Sequence, residues 1–135
     1  MEEKRLMPTI KKFEDLDVWN LSRELSKSLG ELLDRGTCGN NFRMINQVEG
    51  SSGSIMDNIA EGFERGTRTE FIQFLGYSKG SCGELSSQLY RMLDRKYIDQ
   101  KQFGEYRSIL IRTSAVLQKF FEYLQKTNVQ GTRKK

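Results

Sequence analysis

Apolar residues recur along this chain at the three- and four-residue spacing of an α-helix, and no segment shows the sustained alternation of a β-strand. Asp15 or Asp17 is placed to cap the first helical segment, because a carboxylate accepts the unpaired N–H groups of a first turn. Residues 36–41, rich in glycine and asparagine, predict a loop after it. The segment covers about residues 18–35, and its apolar stripe consists of Val18, Leu21, Leu25, Leu29 and Leu32.

The second segment, residues 42–63, allows two interpretations, because residues 50–54 read Gly-Ser-Ser-Gly-Ser. On composition alone this cluster is typical of a flexible linker. The apolar phase nevertheless continues through it, since Ile45, Ser52 and Ile59 are spaced by seven residues. We therefore predict one long helix, whose small residues allow a neighbouring helix to approach closely and whose two glycines cost about 2 kcal/mol relative to alanine.

Two regular heptad patterns follow. The third helix begins at Thr67 and Glu70, a capping box in which each residue satisfies the other's backbone N–H, and it continues to about residue 94. The fourth begins near Asp99, with Gln102 three residues later, and continues to residue 126. The short connection between the two predicts an antiparallel hairpin.

Four amphipathic segments with short connections bury their stripes best as an all-α, antiparallel up-down four-helix bundle. We predict this bundle for residues 13–126, with residues 1–12 as a mobile N-terminal arm and residues 127–135 as a basic disordered tail. The helices also carry more apolar side chains than one seam needs, among them Phe74, Tyr77 and Ile111. This excess favours self-association with closed symmetry.

The composition excludes several classes of function. The 135-residue chain contains no histidine, which removes Ser-His-Asp and Cys-His nucleophiles, imidazole bases and histidine-containing metal sites. No apolar run reaches the length of a membrane span or of a signal-peptide core, so we expect a cytoplasmic protein with no membrane partner. Cys38 and Cys82 lack a CxxC spacing and are expected to be free thiols.

Basic residues are concentrated in the second half of the chain. The formal net charge is +4, yet residues 1–64 hold 12 acidic and 8 basic side chains, whereas residues 65–125 hold 10 basic and 6 acidic ones. A basic stripe on one helix face can follow nucleic-acid phosphates and gain affinity by releasing counterions. The alternative is an ordinary solvated face, because Glu105 and Glu122 interrupt the stripe. The candidate phosphate contacts are Arg65, Arg68, Lys79, Lys101, Arg112 and Lys119.

Acidic residues and glycines inside the helices have a chemical and a structural interpretation. Glu61 and Glu84 are ligands suited to a hard cation such as Mg²⁺, but a bundle metal site normally adds histidines, so we favour structural hydrogen bonding for both and for Asn58. Gly76 and Gly80 lie within a helix, where close packing against residues 50–54 is favoured over a phosphate-binding loop. We predict no metal, cofactor or catalytic residue.

Several motifs, in order and at the expected spacing, resemble the four-helix-bundle family called 23S rRNA-intervening sequence proteins. The resemblance covers about residues 13–125 and departs from the family pattern at Met56, where a proline is usual, so a kink in the second helix is not implied. The motifs are FEDLDVW at residues 13–19, NIAEGF at 58–63, EFIQFL at 70–75, GSCGEL at 80–85 and QL at 88–89.

The resemblance implies a bacterial protein that assembles as a homopentameric ring and has no established enzymatic activity. The family is similar to the accessory proteins of diversity-generating retroelements, which are pentamers with basic surfaces that bind nucleic acid and a reverse transcriptase. Asn58, Glu61 and Glu84 match the family motifs as structural polar positions, and no catalytic residue is available to transfer.

The sequence therefore predicts a non-enzymatic, oligomeric bundle that binds nucleic acid, with RNA favoured over DNA, through the six candidate phosphate contacts. These residues would position the phosphate backbone and would not read bases. The alternative is an oligomeric scaffold that docks a protein partner such as a reverse transcriptase and has little or no direct contact with nucleic acid.

Overall fold

A computed structural model of the protein describes residues 10–126 and contains four α-helices in that range. They are α1 (Asp17–Asp34), α2 (Phe42–Glu64), α3 (Arg68–Asp94) and α4 (Gln100–Lys126). A short 3₁₀ turn, Phe13–Asp15, precedes α1, and residues 10–126 contain no strand. The all-helical prediction is confirmed, with helix ends within about two residues of those expected. Most of the predicted N-terminal arm, residues 1–9, and the predicted tail, residues 127–135, lie outside the described residues.

The helix starts show which capping predictions hold. At α4 the backbone N–H of Gln102 donates to Asp99 Oδ1 at 2.8 Å, and the N–H of Asp99 donates to Gln102 Oε1 at 3.0 Å, a complete capping box. At α3 only half of the predicted capping box forms: the N–H of Glu70 donates to Thr67 Oγ1, but the Glu70 carboxylate accepts from the Thr67 hydroxyl and not from its backbone N–H. The cap predicted for α1 is wrong, because Asp15 accepts the N–H groups of Lys11 and Lys12 instead and closes the preceding turn.

Helix α2 runs without interruption through residues 50–54, so the helical interpretation of this segment is confirmed and the linker interpretation is wrong. The continuous apolar phase explains this result, since Val48, Ile55 and Ile59 are all fully buried. Ser51 and Ser52 are also buried, and the Ser52 hydroxyl donates to the carbonyl of Glu49 one turn earlier. Burial of this face compensates for the weak helix propensity of the small residues.

Serines and one glycine make the close contact between α2 and α3. The Ser78 hydroxyl of α3 donates to the carbonyl of Ile55 at 2.8 Å, and the Ser81 hydroxyl donates to Ser54 Oγ at 3.0 Å. A Cβ built on Gly62 would lie 2.6 Å from the Cβ of Phe74, so only glycine fits at this contact between the helices.

The glycines singled out from the sequence are not at this contact. A Cβ built on Gly50, Gly53 or Gly80 would have no neighbouring atom within 4 Å, and at Gly76 the nearest atom would be a ring carbon of Phe121 at 4.0 Å. The prediction of close packing through these glycines is therefore wrong. The serines within the same clusters face the neighbouring helix instead.

Contacts between helix ends define the up-down arrangement. The Thr37 hydroxyl donates to the carbonyl of Tyr97, and Asn41 Nδ2 donates to the Tyr97 hydroxyl, so the α1–α2 and α3–α4 connections lie at the same end. Arg68, at the start of α3, reaches the carbonyl of Leu124 near the end of α4. Helix α1 packs against both α2 and α4, which closes the bundle around one core. Within residues 10–126, no helix combines the length and apolarity needed to cross a bilayer.

Candidate nucleic-acid interface

Three of the six candidate phosphate contacts form a row on the outer face of α4. Lys101, Arg112 and Lys119 are exposed, opposite the buried Leu110 and Leu117. Intervals of 11 and 7 residues are close to whole numbers of helical turns, so the row runs nearly parallel to the axis over about 27 Å. No residue in the described range forms an ion pair with these three side chains. We call this row the α4 basic face.

Arg65 has a different environment at the corner between α2 and α3. Its guanidinium lies 3.2 Å from a carboxylate oxygen of Glu61 and 3.6 Å from one of Glu70, and it also covers the ring of Phe74 at 5.1 Å. Exposed ion pairs of this kind contribute little to stability. Two nearby carboxylates nevertheless compensate its positive charge, which weakens its attraction for phosphate.

Arg68 and Lys79 connect α3 to α4. Arg68 donates from Nη1 to the carbonyl of Leu124 at 3.0 Å, where a cation meets the negative end of the α4 dipole. The Lys79 ammonium lies 4.4 Å from the centre of the Phe121 ring, in a cation–π contact. The structure thus places Arg65, Arg68 and Lys79 in intramolecular contacts and does not bring them into the α4 basic face.

The three structural polar positions also differ from one another. Asn58 Nδ2 donates to the carbonyl and the hydroxyl of Ser54, one turn earlier, and Glu61 pairs with Arg65 as described above. Glu84 is exposed and forms no ion pair in the described part of the chain. Glu61 and Asn58 therefore support the local structure of α2, whereas Glu84 faces open space between α2 and α3.

That space is a polar groove of about 490 Å³ on the outer side of α2 and α3, which we call the α2–α3 groove. Gln88 is only 8% exposed, and its Oε1 is the buried side-chain atom without a hydrogen-bond partner in the described structure. The hydrophobic pattern did not predict the burial of this residue, because Gln88 is polar and lies next to the buried Leu89 on α3. The lining residues are Asn46, Gln47, Gly50, Ser51, Ser54, Glu84, Ser87, Gln88 and Arg91.

The thiols lie in apolar surroundings. Cys38 and Cys82 are buried and unpaired with each other, and burial raises the pKa of the Cys82 thiol to about 11 and that of Cys38 in the same direction. A protonated thiol is a poor nucleophile, so neither side chain is activated for chemistry. Residues 10–126 contain no group of three or more His, Cys, Asp or Glu side chains arranged to hold a metal ion.

Large apolar side chains are exposed at several places. Tyr90 of α3 is 47% exposed, with the guanidinium of Arg107 at 5.2 Å from its ring, and Ile111, one turn after Arg107 on α4, is 55% exposed. Phe42, the first residue of α2, is 67% exposed, and Tyr77 is 49% exposed. The apolar excess predicted from the sequence therefore remains partly uncovered in the single chain.

Two comparisons connect this bundle to known proteins. The family model described as 23S rRNA-intervening sequence protein matches residues 14–119. The crystal structure of a protein of unknown function from the S23 ribosomal protein family of Bacteroides thetaiotaomicron has a similar fold, with a TM-score of 0.73 and 22% identity over 78% of this chain and 98% of that one. No curated protein matches the sequence.

Proposed function

We propose that this chain, which belongs to the 23S rRNA-intervening sequence protein family, is a non-enzymatic bundle protein that binds RNA through the α4 basic face of a homo-oligomer. The observation that carries the proposal is the row of exposed cations, Lys101, Arg112 and Lys119, none of which has an ionic partner in the described range. Cations without an internal partner are free to replace the counterions of a phosphate backbone.

The arrangement of the row supports backbone binding and not base recognition. The three side chains are separated along the helix by about 16 and 10 Å, so each can contact a different phosphate of one strand. Long lysine and arginine side chains in solvent position a nucleic acid without specifying its sequence. The family description, which refers to intervening sequences of 23S rRNA, favours RNA over DNA as the partner.

Self-association strengthens the proposal, because a ring of subunits repeats the positive field of each α4 basic face. The exposed Phe42 and Tyr77 supply apolar surface that a second copy can cover. We propose a pentamer as the assembled form, on the strength of the family resemblance, and a cytoplasmic location. The absence of histidine and the protonated state of the buried Cys82 are consistent with a protein that binds without catalysing a reaction.

A second candidate function is supported by the exposed Tyr90 and Ile111. Together with Arg107 they give one side of α3 and α4 a mixed aromatic, aliphatic and cationic surface, a composition typical of protein interfaces. On this proposal the oligomer is a scaffold that docks a protein partner, such as a reverse transcriptase, and has little or no contact with nucleic acid.

A salt titration of RNA binding tests the first proposal against the second. Binding of a single-stranded RNA is measured by fluorescence anisotropy at several salt concentrations, for the wild type and for the triple variant Lys101→Gln, Arg112→Gln, Lys119→Gln. Each lost phosphate contact reduces the magnitude of the slope of log K against log salt by about 0.7. Because the triple variant removes three contacts from each subunit, its slope should be smaller than that of the wild type by about 2 for each subunit that contacts the RNA.

The matched control is the triple variant Arg23→Gln, Lys27→Gln, Arg43→Gln, which removes three exposed charges from α1 and α2. This variant should retain nearly the wild-type slope. Equal slopes in the wild type and the α4 triple variant would contradict the assignment of the α4 basic face. Absence of binding at low salt would contradict RNA binding altogether and would favour the protein-docking scaffold.

A further inference from the structure

The α2–α3 groove contains hydrogen-bonding groups that the fold itself does not use. Gln88 is more than nine-tenths buried, yet its Oε1 accepts no hydrogen bond, and Glu84, one turn earlier on α3, has no ionic partner in the described range. An unsatisfied buried carbonyl destabilises the folded state, so a fold rarely retains one without a reason. Both unused groups are acceptors on the same wall of the groove.

Three other residues that line the groove already form hydrogen bonds within the fold. Arg91 donates from Nη1 to Gln47 Oε1 at 2.8 Å, two turns beyond Glu84, and Ser54 Oγ accepts hydrogen bonds from Ser81 and Asn58. Opposite the acceptors, a Cβ on Gly50 would meet no atom within 4 Å, so the wall of α2 leaves room for a guest.

These acceptors define the chemistry of the guest. It must donate at least two hydrogen bonds, one to the amide oxygen of Gln88 and one to the carboxylate of Glu84, and it must compensate one negative charge. A primary ammonium group, with three N–H donors, meets these requirements. A hard divalent cation does not, since Mg²⁺ and Ca²⁺ need six or more oxygen ligands and this wall offers one carboxylate.

We propose that the α2–α3 groove is a binding site for a small alkylammonium ligand, with its ammonium between Gln88 Oε1 and Glu84 and its carbon chain along the groove. The groove volume of about 490 Å³ lies within the range of small-molecule sites. This proposal is independent of RNA binding, because the groove lies between α2 and α3 and the basic face lies on α4.

Calorimetric titration of the full chain with n-butylammonium chloride at constant ionic strength tests the site. We expect saturable binding of one equivalent per chain, weakened at least about tenfold by Gln88→Leu and by Glu84→Gln, since each removes one charge-assisted contact. Glu105→Gln, which removes an exposed carboxylate from α4, is the control and should leave the affinity unchanged. The Gln88 side-chain amide signal in NMR spectra should shift during the titration.

Glu84 is exposed, so Glu84→Gln keeps the test valid even where Gln88→Leu fails to fold. Absence of saturable binding, or equal weakening by Glu105→Gln, would overturn the proposal. A third result would also overturn it: the amine does not bind, and sedimentation shows that Gln88→Leu dissociates an oligomer. A second copy of the chain, and not a small ligand, would then occupy the groove.

Discussion

Replacement of Gly62 by alanine tests the packing of α2 on α3 most sharply. The new Cβ would lie 2.6 Å from the Cβ of Phe74 and 3.0 Å from a ring carbon of Phe71, well inside ordinary van der Waals contact. The Phe74 Cβ is attached directly to the backbone of α3, so it cannot rotate away. The two helices would have to move apart to relieve this contact.

The expected magnitude follows from two opposing effects. Overpacking of a close contact costs about 1–3 kcal/mol, and the rigidity of this contact places Gly62→Ala at the upper end. Alanine regains about 1 kcal/mol of helix propensity, which leaves a net loss of about 2 kcal/mol. For a chain of this size, that corresponds to a fall in Tm of roughly 8 °C.

Gly104→Ala is the matched control, because Gly104 is exposed on α4 and a Cβ there would meet no atom within 4 Å. It should raise the unfolding free energy by up to about 1 kcal/mol through helix propensity alone. Both variants are compared with the wild type by thermal and urea unfolding followed by circular dichroism. Equal stability of Gly62→Ala and Gly104→Ala would refute the close approach of the two helices.

Two further predictions concern a helix end and a buried thiol. Lys96 has a φ of 63°, and α3 ends there with hydrogen bonds from the backbone N–H groups of Lys96 and Tyr97. Because glycine adopts a positive φ without strain, Lys96→Gly should raise the free energy of unfolding by about 1 kcal/mol in urea, whereas Arg95→Gly, at a φ of −84°, should lower it. The opposite order of stability would contradict this cap. Burial raises the pKa of the Cys82 thiol from 9.0 to about 11, so between these pH values the folded chain keeps a proton that the unfolded chain loses. The free energy of unfolding should therefore fall by up to about 2 kcal/mol as the pH rises from 9 to 11. Unfolding curves of Cys82→Ala should lack this part of the pH dependence, and an identical fall in both proteins would contradict the assignment.

The helices were predictable because their information is local. A strict alternation of three- and four-residue spacings fixes the inward face of α3 and α4, and the capping box at Asp99 marks where α4 begins. The same periodicity predicted that α2 continues through its glycine–serine cluster, since the apolar positions on either side of the cluster keep the same helical spacing. The cap of α1 failed because Asp15 had a competing use in the turn before the helix.

Features that depend on two elements at once were not predictable. The glycine clusters show small residues on more than one face, and only the orientation of the helices decides that Ser54 and Ser81 meet while Gly50 faces outward. The burial of Gln88 has the same origin, because it follows from the rotation of α3 against α2.

The residues of the candidate site show the same difference between local and long-range information. Lys101, Arg112 and Lys119 share one helix, so their alignment follows from spacing alone. Arg68 and Lys79, in contrast, contact Leu124 and Phe121 of α4, which become their neighbours only in the folded chain. A charge pattern therefore located the basic face of α4 but could not separate it from cations that support packing.

Native mass spectrometry of the full chain, purified at low salt without nuclease treatment, tests the central proposal most directly because it reports subunit number and bound nucleic acid together. We predict a homo-oligomer, a pentamer, that carries RNA and releases it when the salt concentration is raised before the measurement. The triple variant Lys101→Gln, Arg112→Gln, Lys119→Gln should form the same oligomer without RNA. A wild-type oligomer free of nucleic acid, or RNA retained equally by the triple variant, would contradict RNA binding through α4.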